Sequence, residues 1–169
     1  MTSMEMDLQK LAGIIKDMKF TMLTTTSEAG SMHSRPMVTQ KIDESNFDGN
    51  LWFFTRKNSA KIHAIENDQH VNLAYAEPDK QRYVSVSGRA FVSEDQSKMK
   101  ELWNPALKAW FPEGLEDPQI SLIRVEAESA EIWDSPPSKV VQMVGMAKSM
   151  ATGKPYDGQK HSQQIDLNN

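Results

Sequence analysis

The chain contains no cysteine. That absence removes a disulfide framework, a thiolate metal site and a cysteine nucleophile in one step, and it agrees with a reducing compartment. No apolar run approaches the roughly 20 residues that a bilayer-spanning helix needs. The opening Met1-Thr2-Ser3-Met4-Glu5-Met6-Asp7 is acidic and lacks the basic, then apolar, start of a secretory signal. There is no basic excess either. The formal net charge is -4 over 169 residues, and lysine and arginine are scattered, so nucleic acid is not an expected partner. A glycine-rich dinucleotide fingerprint is missing. Thr152-Gly153-Lys154-Pro155 has a superficial phosphate-loop look, but its preceding glycine is at the wrong distance and Pro155 stands where a hydroxyl is required. His33, His63, His70 and His161 show no ligand spacing, which argues against a histidine zinc site. Serine and aspartate are plentiful, yet nothing groups them with a histidine into a nucleophile site. These exclusions leave a cytoplasmic globular protein with no metal, membrane or nucleic-acid partner as the expectation.

The length suits one domain with a self-sufficient core, expected over 1–150, followed by a flexible polar C-terminal tail over 151–169. Thr2 and Glu5 have the spacing of a capping box, and Leu8, Leu11, Ile15 and Met18 fall at helical intervals behind it. A helix is therefore predicted over about 3–18. Strands are predicted over 20–26, 32–42, 51–55, 71–76, 83–93 and 120–133, from β-branched content and alternation bounded by turn residues. Gly88 marks a bulge or bend in the fifth. Helices are predicted over 59–67, 94–103 and 139–150, with a short one over 104–110 opened by Pro105. Most strands are linked as hairpins and do not alternate regularly with helices. The pattern therefore favours a mainly β (α+β) protein, an antiparallel barrel with helices packed outside, over a doubly wound parallel sheet.

The densest chemistry lies in Phe53-Phe54-Thr55-Arg56-Lys57-Asn58-Ser59-Ala60-Lys61. A strand hands over to a helix there, and the first amides of a helix have no partner within it and carry partial positive charge. Thr55 and Ser59 hydroxyls with Lys57 or Lys61 would complete a phosphate cradle. The same residues also read as an ordinary capped helix with solvated lysines. On the preceding strand, Met32, Ser34, Pro36, Val38 and Ile42 share one face, while His33, Arg35, Met37, Thr39 and Lys41 share the other. Arg35 and Lys41 thus share a face that turns toward the cradle if the two strands are neighbours, or toward water if they are not. Pro36 implies an edge or an interrupted ladder, where a flat ligand reaches backbone. Trp52, Phe54, Trp103, Trp110, Phe111 and Trp133 are candidates to wall a planar ring or simply to fill core. Trp110-Phe111-Pro112 stands out because it falls in a loop.

Taken together, Arg35-Pro36-Met37, Trp52-Phe53-Phe54-Thr55 and Ser59-Ala60-Lys61 resemble the motifs of the pyridoxamine 5'-phosphate oxidase-like FMN-binding split barrels. Trp110-Phe111-Pro112, Gly114 and Glu131-Ile132-Trp133-Asp134 are similar to the general stress protein subgroup of that family. The resemblance implies a six-stranded antiparallel split β-barrel with peripheral helices, a homodimer, and FMN at the subunit interface, with FAD as an alternative. It implies that Arg35, Ser59 and Lys61 bind the flavin phosphate. It places Phe53, Phe54 and Thr55 along the flavin, and Pro36, Met37 and Val38 against its ring. Lys41 corresponds to the lysine that closes the first motif, and Trp110 and Trp133 to covers of the ring. It further implies flavin redox chemistry with a small molecule or a nicotinamide cofactor, or else a non-enzymatic flavin carrier or sensor in a stress response. Two departures are visible. Tyr83 stands where the oxidases carry glutamine, and the terminal Gln163–Asn169 segment lacks the arginine and histidine that bind pyridoxal phosphate. Oxidation of pyridoxamine phosphate is therefore not expected, and no catalytic residue is assigned.

Overall fold

A computed structural model describes residues 1–134, 139–155 and 162–168. Seven strands form one antiparallel sheet in the order β2-β1-β4-β5-β6-β3, with β7 added along β6. The strands are β1 (Phe20–Thr26), β2 (Met32–Val38), β3 (Asn50–Arg56), β4 (His70–Glu77), β5 (Arg82–Ser93), β6 (Ile120–Asp134) and β7 (Ser162–Asp166). The helices are α1 (Ser3–Ile15), α2 (Ala60–Asn67), α3 (Gln96–Leu102) and α4 (Lys139–Thr152). The sheet curls into a mainly β split barrel. Its open sides meet at one point, where the Gln40 amide donates to the Trp52 carbonyl at 3.0 Å.

The helix and strand patterns read from the sequence are present, with ends shifted by a few residues. The capping box is formed: the Glu5 amide donates to Thr2 Oγ1 at 3.1 Å and the Thr2 amide to Glu5 Oε2 at 2.6 Å. Behind it, α1 pushes Leu11 and Ile15 into the barrel core beside Leu23, Leu51, Phe53 and Ile123. The second predicted strand stops at Val38 rather than Ile42, because the chain turns away to close the barrel through Gln40. Gly88 does sit at a register shift between β5 and β6, and a Cβ there would lie 2.0 Å from the Glu126 carbonyl oxygen. Only glycine admits that approach.

The expectation of a wholly loose polar end is changed by β7. The first half of the long β6 pairs with β3 and the second half has a free edge, which Ser162–Asp166 covers. Ile165 is the buried anchor of that strand. A single apolar residue in Ser-Gln-Gln-Ile-Asp gives too little alternation to be read from sequence.

A second apolar cluster lies outside the barrel, where Phe54, Met99, Leu107, Phe111, Ile120 and Leu122 pack β3 and β6 against α3 and the turn Pro105–Ala109. Alternation on β3 explains the pair of cores: Phe53 points into the barrel and Phe54 into the second cluster. The outer face of the sheet is unusual. Directly paired residues share a face, so Pro36, Met22, Ala74, Ser85, Glu131 and Gln164 form one row across it. Ser34, Thr24, Asn72, Ser87, Ser129 and Asp166 form the next. Beyond the first row stand Val38, Phe20, Ala76, Tyr83 and Trp133. Only Glu131 and Asp166 in these rows carry charge, while Phe20, Met22, Tyr83 and Trp133 are exposed.

Candidate functional site

A cavity of about 410 Å³ opens at the split, between the outer side of β2 and the strand-to-helix junction of β3 and α2. Its size falls within the range of small-molecule sites. Pro36, Met37 and Val38 form one wall, and Phe54, Leu107, Trp110 and Phe111 form the other. Thr55, Arg56, Ser59 and Lys61 crowd one part of its lining. Among the described residues neither a carboxylate nor an imidazole lines it. A larger trough of about 510 Å³ on β5, β6 and β7 offers serine hydroxyls with Glu131 and Asp166, but no cation or aromatic ring. The first cavity is the one whose chemistry suits a planar anion.

The polar part is built by local sequence. Thr55, next to last in β3, faces inward and is buried, and its Oγ1 lies 3.4 Å from Ser59 Oγ and accepts from Lys61 Nζ at 3.1 Å. Ser59 precedes α2 in extended backbone, yet its hydroxyl makes no capping bond. It turns to Thr55 instead, so the opening amides of α2 gain no side-chain cap from Ser59. Arg35 is half-buried and donates to Thr25 Oγ1 at 2.8 Å and to the Leu23 carbonyl at 3.3 Å. Both acceptors are neutral. Burial lowers the pKa of Arg35; burial first, and then the charge of Arg35, lower that of Lys61. No carboxylate contributes to either shift. Two partly desolvated cations whose charges act on each other, with no carboxylate among the causes of either shift, are costly on their own and complementary to a bound phosphate.

The structure brings together Pro36, Met37, Val38, Phe54, Thr55, Ser59, Lys61 and Trp110 from the sequence assignment. Arg35 does not line the cavity, and it is linked to Lys61 only through its charge, which lowers the Lys61 pKa second to burial. Phe53 lies elsewhere, fully buried in the barrel. Lys41 is exposed beyond the end of β2, and Trp133 is exposed at the far end of β6 against Tyr83. Neither lines the cavity of its own chain. Within the loop motif the roles divide: Phe111 is buried against Phe54, and Trp110 is 55% exposed at the rim.

Phe20, Gln40, Arg56 and Leu107 also line the cavity and were not assigned from sequence. Arg56 donates to the Trp110 carbonyl at 2.6 Å and lies over the Phe111 ring, which pins the aromatic loop to β3. Its place inside the strand-to-helix stretch was the available signal. Gln40 is buried and donates through Nε2 to the Val38 carbonyl at 3.2 Å. Nothing local marks it, because its burial follows from barrel closure.

Comparison with known proteins agrees with this fold. Protein bli-3 of Neurospora crassa is 30% identical over 161 residues, spanning 90% of this chain and 76% of that protein. The crystal structure of the general stress FMN/FAD binding protein of Xanthomonas citri is 32% identical and superposes with a TM-score of 0.67, covering 78% of this chain and 90% of its own. General stress protein 26 of Jannaschia sp. CCS1 has the same fold across 98% of this chain and 99% of its own, with a TM-score of 0.70 at 21% identity. The sequence pattern of the pyridoxamine 5'-phosphate oxidase-like family matches residues 6–157. By fold, by sequence and by the order of its motif residues, the chain belongs to the pyridoxamine 5'-phosphate oxidase-like family.

Proposed function

We propose that the cavity binds FMN and that the protein is a flavin-dependent oxidoreductase of the cytoplasm, acting on a small molecule or a nicotinamide cofactor. The observation that carries this reading is the cavity lining itself, where Lys61 and Arg56 with the hydroxyls of Thr55 and Ser59 meet apolar walls and no carboxylate among the described residues, with half-buried Arg35 acting on Lys61 through its charge. Arg35, Lys61 and the hydroxyls of Thr55 and Ser59 hold the phosphate. Pro36, Met37 and Val38 lie along the ring, and Trp110 flanks it at the mouth. When bound, FMN supplies hydride and electron transfer. The chain's own part is to orient the ring and exclude water from one side. The Xanthomonas citri protein is described as FMN/FAD binding, which supports a flavin and leaves FAD as the alternative in the same cradle. The general stress designation of that relative supports a role in a stress response.

The outer sheet face supports a homodimer with the flavin between subunits. A two-fold axis parallel to the strands, passing between β4 and β5, sets Phe20 against the partner's Trp133 and Ala76 against the partner's Tyr83. In the next row it sets Ala74 against the partner's Ser85. Phe20 and Trp133 then meet at the ends, the small Ala76 and Ala74 face Tyr83 and Ser85 at the centre, and the exposed apolar strip is covered. The partner's Trp133 arrives beside Phe20, at the cavity of the first subunit.

A second reading is a flavin carrier or sensor without turnover. The absence of any carboxylate or imidazole in the cavity lining favours it, since proton transfer then has no protein donor among those residues. The visible spectrum of the purified protein, followed by titration with FMN and FAD, tests the cofactor. A colourless protein with no heat of association in excess FMN rejects both readings. Oxidation of a nicotinamide cofactor by the holoprotein selects the enzyme, and failure with every acceptor tried selects the carrier.

A further inference from the structure

Helix α4 is amphipathic the wrong way round for one chain. Val141, Met143, Val144, Met146 and Met150 are 55–87% exposed. The half-buried positions are Gln142, Gly145 and Ser149. A surface helix ordinarily buries its apolar stripe and shows water its polar one. No described side chain of α4 is buried. The segment 139–155 holds three lysines and no carboxylate, in a chain of net charge -4.

We propose that α4 of one copy docks on the mouth of the partner's cavity and serves as its lid. This rests on the reading of the cavity and two-fold given above. Two features select a second copy of this chain as the occupant. The first is position. In sequence α4 follows its root, the end of β6, after four residues, and that root lies three strands away from Phe20 of its own chain, or about 14 Å at ordinary strand spacing. Under the two-fold, the same root lies directly over Phe20 of the other subunit. The second is complementarity. Trp110 lines the mouth, and the chain that follows it exposes Pro112, Glu113 and Glu116, which match an apolar stripe of valine and methionine flanked by Lys148 and Lys154. Methionine is flexible and polarizable, so it adapts to aromatic surface and shields a ring from water. The lid makes access to the flavin depend on the partner subunit.

The missing cysteine makes the test clean, because an engineered pair has no competitor. Full-length Glu113→Cys and Met146→Cys proteins are mixed, allowed to exchange subunits and oxidised. A disulfide-linked dimer is expected in the mixture well above either protein alone. A cross-link confined to single chains in the Glu113→Cys/Met146→Cys double variant overturns the proposal. As an independent measurement, Met143→Glu/Met146→Glu is expected to release FMN at least about tenfold faster at unchanged melting temperature. Unchanged release in that variant overturns the lid even where the cross-link forms. FMN binding that persists without either effect leaves the cofactor assignment standing and removes only the lid. A cross-link in a protein that binds no FMN removes the cofactor assignment and keeps the docking.

Discussion

Burial and, second to it, the charge of Arg35 depress the pKa of Lys61, although the two residues come from different elements, β2 and α2, 26 positions apart in sequence. The fold leaves both cations in partly buried surroundings, and among the described residues neither forms an ion pair with a carboxylate. Their favourable partner is a ligand, and the first two predictions follow from that.

Replacing Arg35 and Lys61 together by alanine removes charge-assisted hydrogen bonds to phosphate, each worth about 1.5–3 kcal/mol. FMN affinity should fall by roughly two orders of magnitude or more, while affinity for riboflavin, which has no phosphate, should hardly change. Fluorescence titration of both ligands measures the ratio. Equal losses for the two ligands would move the phosphate away from this pair.

Lys61 also sets a pH dependence. Its folded pKa lies below the ordinary 10.5, with burial the larger cause and Arg35 the second. Between the two values the unfolded chain binds more protons than the folded one, so the stability of the ligand-free protein should rise with pH across that window. FMN affinity should fall across the same window, because the ammonium that meets the phosphate is lost. Thermal melts and titrations of the wild type beside Lys61→Met check both slopes. Each should flatten in the variant.

Neighbouring aromatics should separate stability from binding. Phe53→Ala empties a fully buried site in the barrel and should cost about 3–5 kcal/mol. Trp110→Ala removes a rim residue that is 55% exposed, and should leave the denaturation midpoint nearly unchanged while weakening FMN binding. Urea denaturation paired with flavin titration reads the two effects. The reverse pattern would place the ring elsewhere.

The outer face gives a fourth expectation. Ala74→Glu puts a carboxylate in the row between Met22 and Ser85, on a face with almost no charge. Light scattering should show a monomer, with FMN bound more weakly because the partner's Trp133 is gone. A dimer as tight as the wild type would exclude this face as the interface.

Some of the protein is legible one residue at a time. Thr2 and Glu5 fix the start of α1, because a capping box is closed within a single turn. The alternation of β5 and the bulge at Gly88 are equally local. So is the cradle of Thr55, Ser59 and Lys61, where strand, turn and helix follow one another within seven residues and their proximity needs no long-range contact. The resemblance of the motifs supplied Arg35, which local pattern left between wet surface and site.

What only the tertiary structure decided depends on pairings far apart in the chain. Phe53 and Phe54 are the same residue type on adjacent positions; alternation sends them to opposite faces, and only the curl of the sheet decides which face is the barrel core and which the site. Gln40 and Phe20 enter the cavity because the barrel closes at the Gln40–Trp52 hydrogen bond. Ser162–Asp166 becomes a strand because β6 outruns β3 and leaves backbone donors and acceptors to be met. Sequence determines what lies within one turn or one strand, where covalent spacing sets distance. Burial and convergence are set by the register between strands, which the chain expresses only once the whole sheet has closed.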